Sequence, residues 1–406
     1  MHVLFLAPDT HVYNHAFVRG LREQGVRISG IGPAAADRLS EGIRPLLDAY
    51  LPCERIFDGE SVLAGIRELP QSDGIARIET IDEPLVETAA WLREQLGLPG
   101  LSAATARLCR DKVAMKAFLR ERGIPCAQSA SVASEAELRE FIAREGYPVI
   151  LKPLAGFNSL DTYKLSSDDD LRAVLPRVRL SAEQPLAVEE FVEGHEGFFD
   201  TITGPEGVRY DFVGHYFPGC LEANRTRWIS PQIAITNRSE LDAYSELRRT
   251  AHAVIDALGL RSTATHMEWF FGPKGLKFSE LGARPAGEKI WDMYRVGNDF
   301  DVFAEWALAV LGRESHARPS RRRAVGSIQI RPDRDGVFSE HLGVDDAFRR
   351  CGALIYEHSL PAPGTPTSGL DRGWLCNTYF RLAHEDFDEL RRSMTFLGET
   401  VKSRAR

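Results

Sequence analysis

The sequence has no long apolar run, no paired cysteines and no large excess of charge of one sign. No segment of its 406 residues is long and apolar enough to span a bilayer, and the short apolar run at residues 3–6 does not predict a signal peptide. Fifty basic against 58 acidic residues give a net charge of −8, which disfavours nucleic acid and anionic membranes as main partners. The six cysteines lack the spacing of disulfide or zinc sites, so we expect reduced thiols and a cytoplasmic protein.

The first hundred residues also lack a glycine-rich dinucleotide motif, although they alternate like an α/β domain. Strands predicted at residues 3–6 and 26–31 enclose a helix at about 13–24, and the strand at 75–81 with the helix at 85–96 repeats the alternation. No GxGxxG follows the first strand, so a dinucleotide cofactor is not predicted. We expect a parallel-sheet domain whose carboxyl edge lines a substrate cleft.

The sequence does contain a predicted β-hairpin with two opposed carboxylates. Residues 271–276 predict a three-residue loop closed by a glycine, so that Gly272 faces Leu276. Counting outward then places Glu268 opposite Glu280, with Cβ atoms roughly 5 Å apart. Opposed carboxylates repel unless a cation lies between them, which favours a divalent-metal site over the alternative of a solvated acidic hairpin.

Strand alternation gives this hairpin one polar and one apolar face. His266 shares the face of Glu268, while Gly282 and Arg284 share the face of Glu280. The opposite face predicts burial of Met267, Trp269 and Phe278. His266 is a candidate for contact with a reacting group, and a purely structural histidine is the alternative.

Two lysines upstream have neighbours that suit phosphate. Asp111 predicts the N-cap of a helix whose first residue is Lys112. A buried strand at residues 147–153 carries Lys152 near its end, directly before a loop of small residues at 154–159. The alternative for Lys152 is a side chain that reaches out along an edge strand.

A polar segment, residues 222–228, lies between strand-like runs and is our candidate for a substrate-binding or phosphate-covering loop. Its candidate substrate residues are Arg225, Arg227 and Trp228, and a plain solvated loop is the alternative. The arginine-rich segment at 313–323 is typical of a solvated linker between domains rather than a nucleic-acid patch.

Five motifs together resemble the ATP-grasp superfamily. In chain order they are residues 110–112, 151–153, 188–196, 266–268 and 280–284. The chain looks most similar to the carboxylate-amine ligases, especially bacterial L-amino-acid ligases. This resemblance implies an α/β ATP-grasp fold with three parts: a Rossmann-like parallel-sheet domain at 1–105, an ATP-grasp domain at 106–312 with its lid at about 126–187, and a small C-terminal α/β domain at 313–406.

The resemblance also implies a role for each matching residue. Those expected to contact ATP are Lys112, Lys152, Ser159, Glu190, Val192 and Glu196. Glu268 and Glu280 would hold Mg²⁺, or Mn²⁺ in its place, on the β and γ phosphates. The expected catalytic residues are Arg284, Lys152 and His266.

Two positions depart from the pattern of the superfamily. Most relatives carry asparagine two residues after the second glutamate, where this chain has Gly282, so one ligand to a second metal is missing. The phosphate-covering loop usually reads glycine-serine-any-glycine, whereas this chain has Asn158-Ser159-Leu160-Asp161. A carboxylate at Asp161 would repel the γ phosphate unless it faces away.

These features predict an ATP-dependent ligase that joins a small carboxylate to an amine through an acyl phosphate. Such a site needs positioning and charge neutralisation rather than a nucleophile on the protein. One alternative is a non-catalytic ATP-sensing module, and another is a carboxyphosphate former like biotin carboxylase, which the absence of a biotinyl-lysine domain disfavours. The sequence leaves the oligomeric state open, with a homodimer as one option.

Overall fold

The computed structural model describes residues 1–70, 72–154, 161–287, 289–369 and 376–406. Within these ranges the chain forms eighteen strands and thirteen α-helices arranged around three main sheets. No helix in this part of the chain is long and apolar enough to cross a membrane.

The N-terminal part is a parallel sheet of four strands in the order β3-β2-β1-β4. Its strands are β1 His2–Leu6, β2 Arg27–Gly32, β3 Ala49–Pro52 and β4 Ile75–Glu79. Its helices are α1 Asn14–Glu23, α2 Gly59–Glu68 and α3 Val86–Gln95. Every residue of the central β1 is buried, as expected for a parallel sheet covered on both faces.

Two helices lead from this domain into a small antiparallel sheet. They are α4 Ala103–Arg110 and α5 Lys112–Arg120, and the Asp111 carboxylate caps α5 as predicted, by accepting hydrogen bonds from the backbone N–H groups of Val113 and Ala114. The small sheet has the order β5-β8-β6-β7. Its elements are β5 Ser129–Val132, α6 Glu135–Glu145, β6 Val149–Pro153, β7 Tyr163–Leu165, α7 Asp168–Val174 and β8 Leu186–Glu190.

The large sheet is antiparallel and has the order β13-β12-β9-β10-β11-β14-β17-β16. Its strands are β9 His195–Gly204, β10 Gly207–Phe217, β11 Gln232–Ile235, β12 Thr263–Gly272, β13 Gly275–Gly282, β14 Ala324–Gln329, β16 Ile355–Ser359 and β17 Tyr379–His384. Strands from both sides of residue 313 share this sheet. The domain bounds given above stay a prediction.

The remaining elements cover the large sheet or follow it. The helices are α8 Cys220–Arg225, α9 Ser245–Ala257, α10 Ile290–Asn298, α11 Val302–Val310, α12 Val344–Cys351 and α13 Phe387–Thr400. A separate strand pair joins β15 Phe338–Leu342 to β18 Lys402–Ala405.

One core cluster fixes the parallel-sheet domain onto the large sheet. It joins Phe5 and Phe17 of the N-terminal part to Phe198 and Trp306 of the later part, all of them almost completely buried. Helix α1 approaches α11 closely at Gly20, where a Cβ would stand 2.6 Å from the carbonyl oxygen of Phe303. The carboxyl edge of the parallel sheet is thereby held beside the end of β13.

The predicted carboxylate pair is present in the hairpin β12-β13, although the predicted loop is wrong by one residue. Gly272 pairs with Gly275 rather than with Leu276, so the turn has two residues instead of three. Between Trp269 and Glu268 of β12, a β-bulge adds one residue to β13. Glu268 is therefore still paired with Glu280. The predicted burial of Met267, Trp269 and Phe278 beneath the hairpin is confirmed.

We predict that Phe278→Ala lowers the free energy of unfolding by about 3–5 kcal/mol, because it opens a cavity under the hairpin. The matched control is Phe271→Ala in the same hairpin, where the ring is 54% exposed and the change should stay within about 0.5 kcal/mol. Calorimetric unfolding of both variants measures the difference. Equal losses for the two would contradict the packing described for this hairpin.

Candidate active site

Most of the predicted site residues line one cavity of about 530 Å³ between the small sheet and the large sheet, here named the first cavity. The predicted residues along its wall are Lys112, Lys152, Glu190, Val192, Glu196, Arg225, Glu268 and Glu280. They come from helices and strands of both sheets, so the fold gathers side chains that are far apart in sequence. Ser159 lies outside the described residues.

Two of the predicted lysines converge on one of the predicted metal ligands. The Nζ of Lys112 lies 3.3 Å from Glu280 Oε2, and the Nζ of Lys152 lies 3.7 Å from the same oxygen. Burial raises the pKa of Glu280, but the ammonium groups of Lys112 and Lys152 outweigh it and lower that pKa to about 2. Glu280 is therefore ionised, with positive charge close enough to be shared with an anionic ligand.

A buried ion pair on the wall of the same cavity was not predicted. Lys116 is completely buried, and its Nζ lies 2.5 Å from Glu189 Oε1, while Glu189 Oε2 lies 3.1 Å from the Nζ of Lys152. Burial raises the pKa of Glu189, but the two lysines outweigh it and hold that pKa below its usual value. Lys116 follows Lys112 by four residues on α5, and this helical spacing was the signal that could have found it.

On the other strand of the hairpin, His266 is fixed by a carboxylate from β9. Its Nδ1 lies 2.6 Å from Asp200 Oδ1, and the hydroxyl of Tyr294 donates to Asp200 Oδ2 at 2.5 Å. Burial lowers the pKa of His266, but Asp200 outweighs it and raises that pKa to about 9. The imidazolium Nε2 lies 3.8 Å from Glu268 Oε1, so Glu268 also has a positive neighbour. Asp200 and Tyr294 were not predicted.

Glu196 also lines the first cavity, and its carboxylate lies within 4.8 Å of Cys220 and Glu268. Its Oε2 accepts a hydrogen bond of 2.6 Å from the backbone N–H of Cys220. Burial and the nearby charge of Glu268 raise the pKa of Glu196 to about 8. A carboxyl group in this state can both donate and accept hydrogen bonds, which suits neutral hydroxyl groups of a ligand.

Glu190 faces the other side of β8 from Glu189. Its carboxylate accepts from the Nζ of Lys274 at 2.8 Å, and its backbone N–H donates to the carbonyl of Gln128 at 2.9 Å. A ligand contact from the backbone of Glu190 would therefore use its carbonyl oxygen. Val192 follows on the same wall of the first cavity.

The three candidate substrate residues are not brought together. Arg225 lines the first cavity and donates a hydrogen bond to the carbonyl of Thr162. Arg227 instead pairs with Asp335 at 2.7 Å, and Trp228 is 88% exposed. Neither Arg227 nor Trp228 lines the first or the second cavity as far as the described ranges extend.

A second cavity of about 840 Å³ lies between the carboxyl edge of the parallel sheet and the end of β13. Residues 10–13 and 81–85 form one wall, and Arg284 lies on the other. The C-terminal part contributes Tyr379 and Arg381, which were not predicted as site residues. Arg284 belongs to this cavity, whereas Glu280, four residues earlier, belongs to the first, so the end of β13 connects the two.

No protein-family model matches the chain. The chain is 32% identical over 319 residues to an L-arginine-specific L-amino acid ligase from Bacillus subtilis, covering 76% of each chain. It is 26% identical over 359 residues to an alanine--anticapsin ligase from Bacillus subtilis strain 168, covering 75% of this chain and 72% of the relative.

Solved structures share the whole fold. An L-amino acid ligase from Bacillus licheniformis has a TM-score of 0.77 at 16% identity and covers 100% of this chain and 98% of its own. A carboxyaminoimidazole ribonucleotide synthase from Aspergillus clavatus, complexed with ATP, has a TM-score of 0.68 at 13% identity and covers 98% and 97%. The predicted ATP-grasp fold is confirmed. The chain belongs to the carboxylate-amine ligases of the ATP-grasp superfamily, enzymes that use ATP to form a carbon–nitrogen bond.

Proposed function

We propose that ATP binds in the first cavity, with its phosphates at Lys112 and Lys152 and a magnesium ion between Glu268 and Glu280. The observation that carries this proposal is the convergence of both lysines on Glu280, directly opposite Glu268 in the hairpin. Ammonium groups are strong partners for phosphate, and carboxylates are the ligands that magnesium prefers in proteins.

The donor set fits a hard divalent cation. Glu280 is ionised, and the two opposed carboxylates offer oxygen atoms only, which suits Mg²⁺ or Mn²⁺ rather than a soft metal. When bound, such an ion neutralises charge on the phosphates. Also on the wall of the first cavity, Glu190 and Val192 are proposed to contact adenine, and Glu196 the ribose hydroxyls. Ser159 is proposed as a phosphate contact from the resemblance alone.

The proposed reaction has two steps without a covalent bond to the protein. A substrate carboxylate oxygen attacks the γ phosphorus, the bond to the β,γ-bridging oxygen breaks, and ADP leaves. The amine nitrogen then attacks the acyl carbon, phosphate leaves with the bonding pair, and the nitrogen loses a proton. Lys152 and Arg284 would neutralise the charge that develops in these steps, and His266 would contact the acyl phosphate.

We place the carboxylate and amine substrates in the second cavity, beside Arg284. Support comes from the position of Arg284 on its wall and from the continuity of β13 between the two cavities. The relatives' names point to L-amino acids as substrates, and we propose the same class here. Arg225 would act at the phosphate end of the first cavity, while Arg227 and Trp228 take no part in this proposal.

An ADP-release assay tests the ligase. With ATP, magnesium and a mixture of the twenty standard L-amino acids, we expect ADP and phosphate in equal amounts and a dipeptide detected by mass spectrometry. A chelator should stop the release, because the proposed site depends on a divalent ion. Tight ATP binding without ADP release would favour the sensing module, and ADP release with bicarbonate alone would favour the carboxyphosphate former.

The metal assignment has its own test. Glu280→Gln should lower kcat at least about 100-fold while the protein stays folded, because the substitution removes one of two charged ligands and keeps the side-chain shape. Glu206→Gln, in an exposed turn between β9 and β10, is the matched control and should keep wild-type activity. Near-normal turnover of Glu280→Gln would remove Glu280 from the metal site.

A further inference from the structure

Arg284 is held at the wall of the second cavity by two of its three nitrogen atoms. Its Nε donates to Glu83 Oε2 at 2.6 Å, and its Nη1 donates to the carbonyl of Pro285 at 2.7 Å. Across the described ranges, Nη2 has no hydrogen-bond acceptor. The guanidinium is therefore fixed in orientation while one nitrogen remains for an anion in the cavity.

The carboxylate of Glu83 serves two arginines at once. Its Oε1 accepts from Arg110 Nη1 at 2.8 Å, so Glu83 joins the end of α4 to the end of β13. The side chains of Glu83, Arg110 and Arg284 are each at least four-fifths buried. Burial raises the pKa of Glu83, but Arg284 and Arg110 outweigh it and hold that pKa below its usual value, so the group is ionised.

The same carboxylate explains the glycine at position 282. A Cβ at Gly282 would stand 2.8 Å from Glu83 Oε2, closer than a carbon and an oxygen atom can approach without a shift. The backbone of Gly282 is not in the left-handed region, so its conformation does not require glycine. The asparagine that most ATP-grasp relatives carry here has no room while Glu83 keeps its place.

We infer that Glu83 is a positioning residue for Arg284, and that Gly282 provides the space that Glu83 needs. The N-terminal domain thereby holds the arginine of the ligase site in its working orientation. This inference rests on the role proposed for Arg284, which is to neutralise charge on the transferred phosphoryl group or the tetrahedral intermediate. On this inference, Gly282, which stands where most relatives carry a metal-binding asparagine, has a function of its own.

Enzyme kinetics distinguish a positioning role of Glu83 from a purely structural ion pair. A misplaced Arg284 weakens an interaction made in the transition state, so kcat falls while KM for ATP is unchanged, because the residues of the first cavity keep their places. A merely structural ion pair would leave kcat of the folded enzyme unchanged. Activity is measured by ADP release with the mixture of twenty L-amino acids described above.

The first test is Glu83→Gln with Glu87→Gln as its control. Glu87 lies 3.9 Å from the same Arg110 and is half exposed, but it has no contact with Arg284 among the described ion pairs. We expect Glu83→Gln to lower kcat at least tenfold with KM for ATP within twofold, and Glu87→Gln to match the wild type. Arg284→Lys should be slow, and adding Glu83→Gln to it should cost little more, because both changes remove one interaction.

These outcomes separate the inference from the proposed function. If Arg284→Lys keeps wild-type kcat, the role of Arg284 is wrong. If Arg284→Lys is slow while Glu83→Gln is not, or if the two losses multiply in the double variant, only the positioning role of Glu83 is overturned.

The second test needs no turnover and therefore also decides the geometry if the amino-acid mixture gives no ADP. In a crystal structure of Gly282→Ala, we expect the Glu83 carboxylate to be displaced and its bond to Arg284 Nε to be lost, with the fold intact. Gly74→Ala, where a Cβ meets nothing within 4 Å, controls for the loss of a glycine. An unchanged Glu83–Arg284 bond in Gly282→Ala would overturn the inference.

Discussion

Two carboxylates face each other across a β-hairpin, and the arrangement of the first cavity follows from the need to balance their charge. Lys112 and Lys152 approach Glu280, and the imidazolium of His266 approaches Glu268. A polyanion that enters the cavity competes with Glu280 for the same ammonium groups, and a divalent cation competes with the ammonium groups for Glu280. Under the proposed function, one nucleotide–metal complex would satisfy both groups together: the metal ion would replace the ammonium groups at Glu280, and the phosphates would replace Glu280 at the lysines.

Because several of these charged groups are buried, they must be balanced by one another. Lys116 and Glu189 line the cavity, but the lysine side chain has no exposed surface and that of Glu189 only 7%, so each charge depends on the other rather than on water. Glu189 also shares Lys152 with Glu280, which links the buried pair to the open site. The chain runs from Glu280 on β13, in the first cavity, to Arg284, two residues past the end of β13, in the second. Under the proposed function, a phosphoryl group transferred from ATP in the first cavity would meet the fixed guanidinium of Arg284 in the second.

Much of this could be predicted from the sequence because it depends on local periodicity. The opposed pair of Glu268 and Glu280 was predicted correctly although the loop was one residue too long, since the bulge that the sequence did not reveal compensated for the shorter turn. Lys116 was missed despite its helical spacing from Lys112. The partners Glu83, Asp200 and Tyr294 could not be predicted, because more than sixty residues separate Glu83 from Arg284, Asp200 from His266 and Tyr294 from Asp200. Only the pairing of β9 with β12 and the packing of α10 and of the N-terminal part against the large sheet bring them together.

The central claim is that Glu268 and Glu280 hold one divalent cation on the phosphates of ATP. Anomalous diffraction from a crystal grown with manganese and a non-hydrolysable ATP analogue tests it most directly, because manganese scatters anomalously and binds the same oxygen ligands. The account predicts a manganese peak bonded to oxygen atoms of both glutamates and of the phosphate chain, with Lys112 moved from Glu280 to phosphate. A nucleotide bound in the first cavity with manganese elsewhere, and with Lys112 still paired to Glu280, would contradict it.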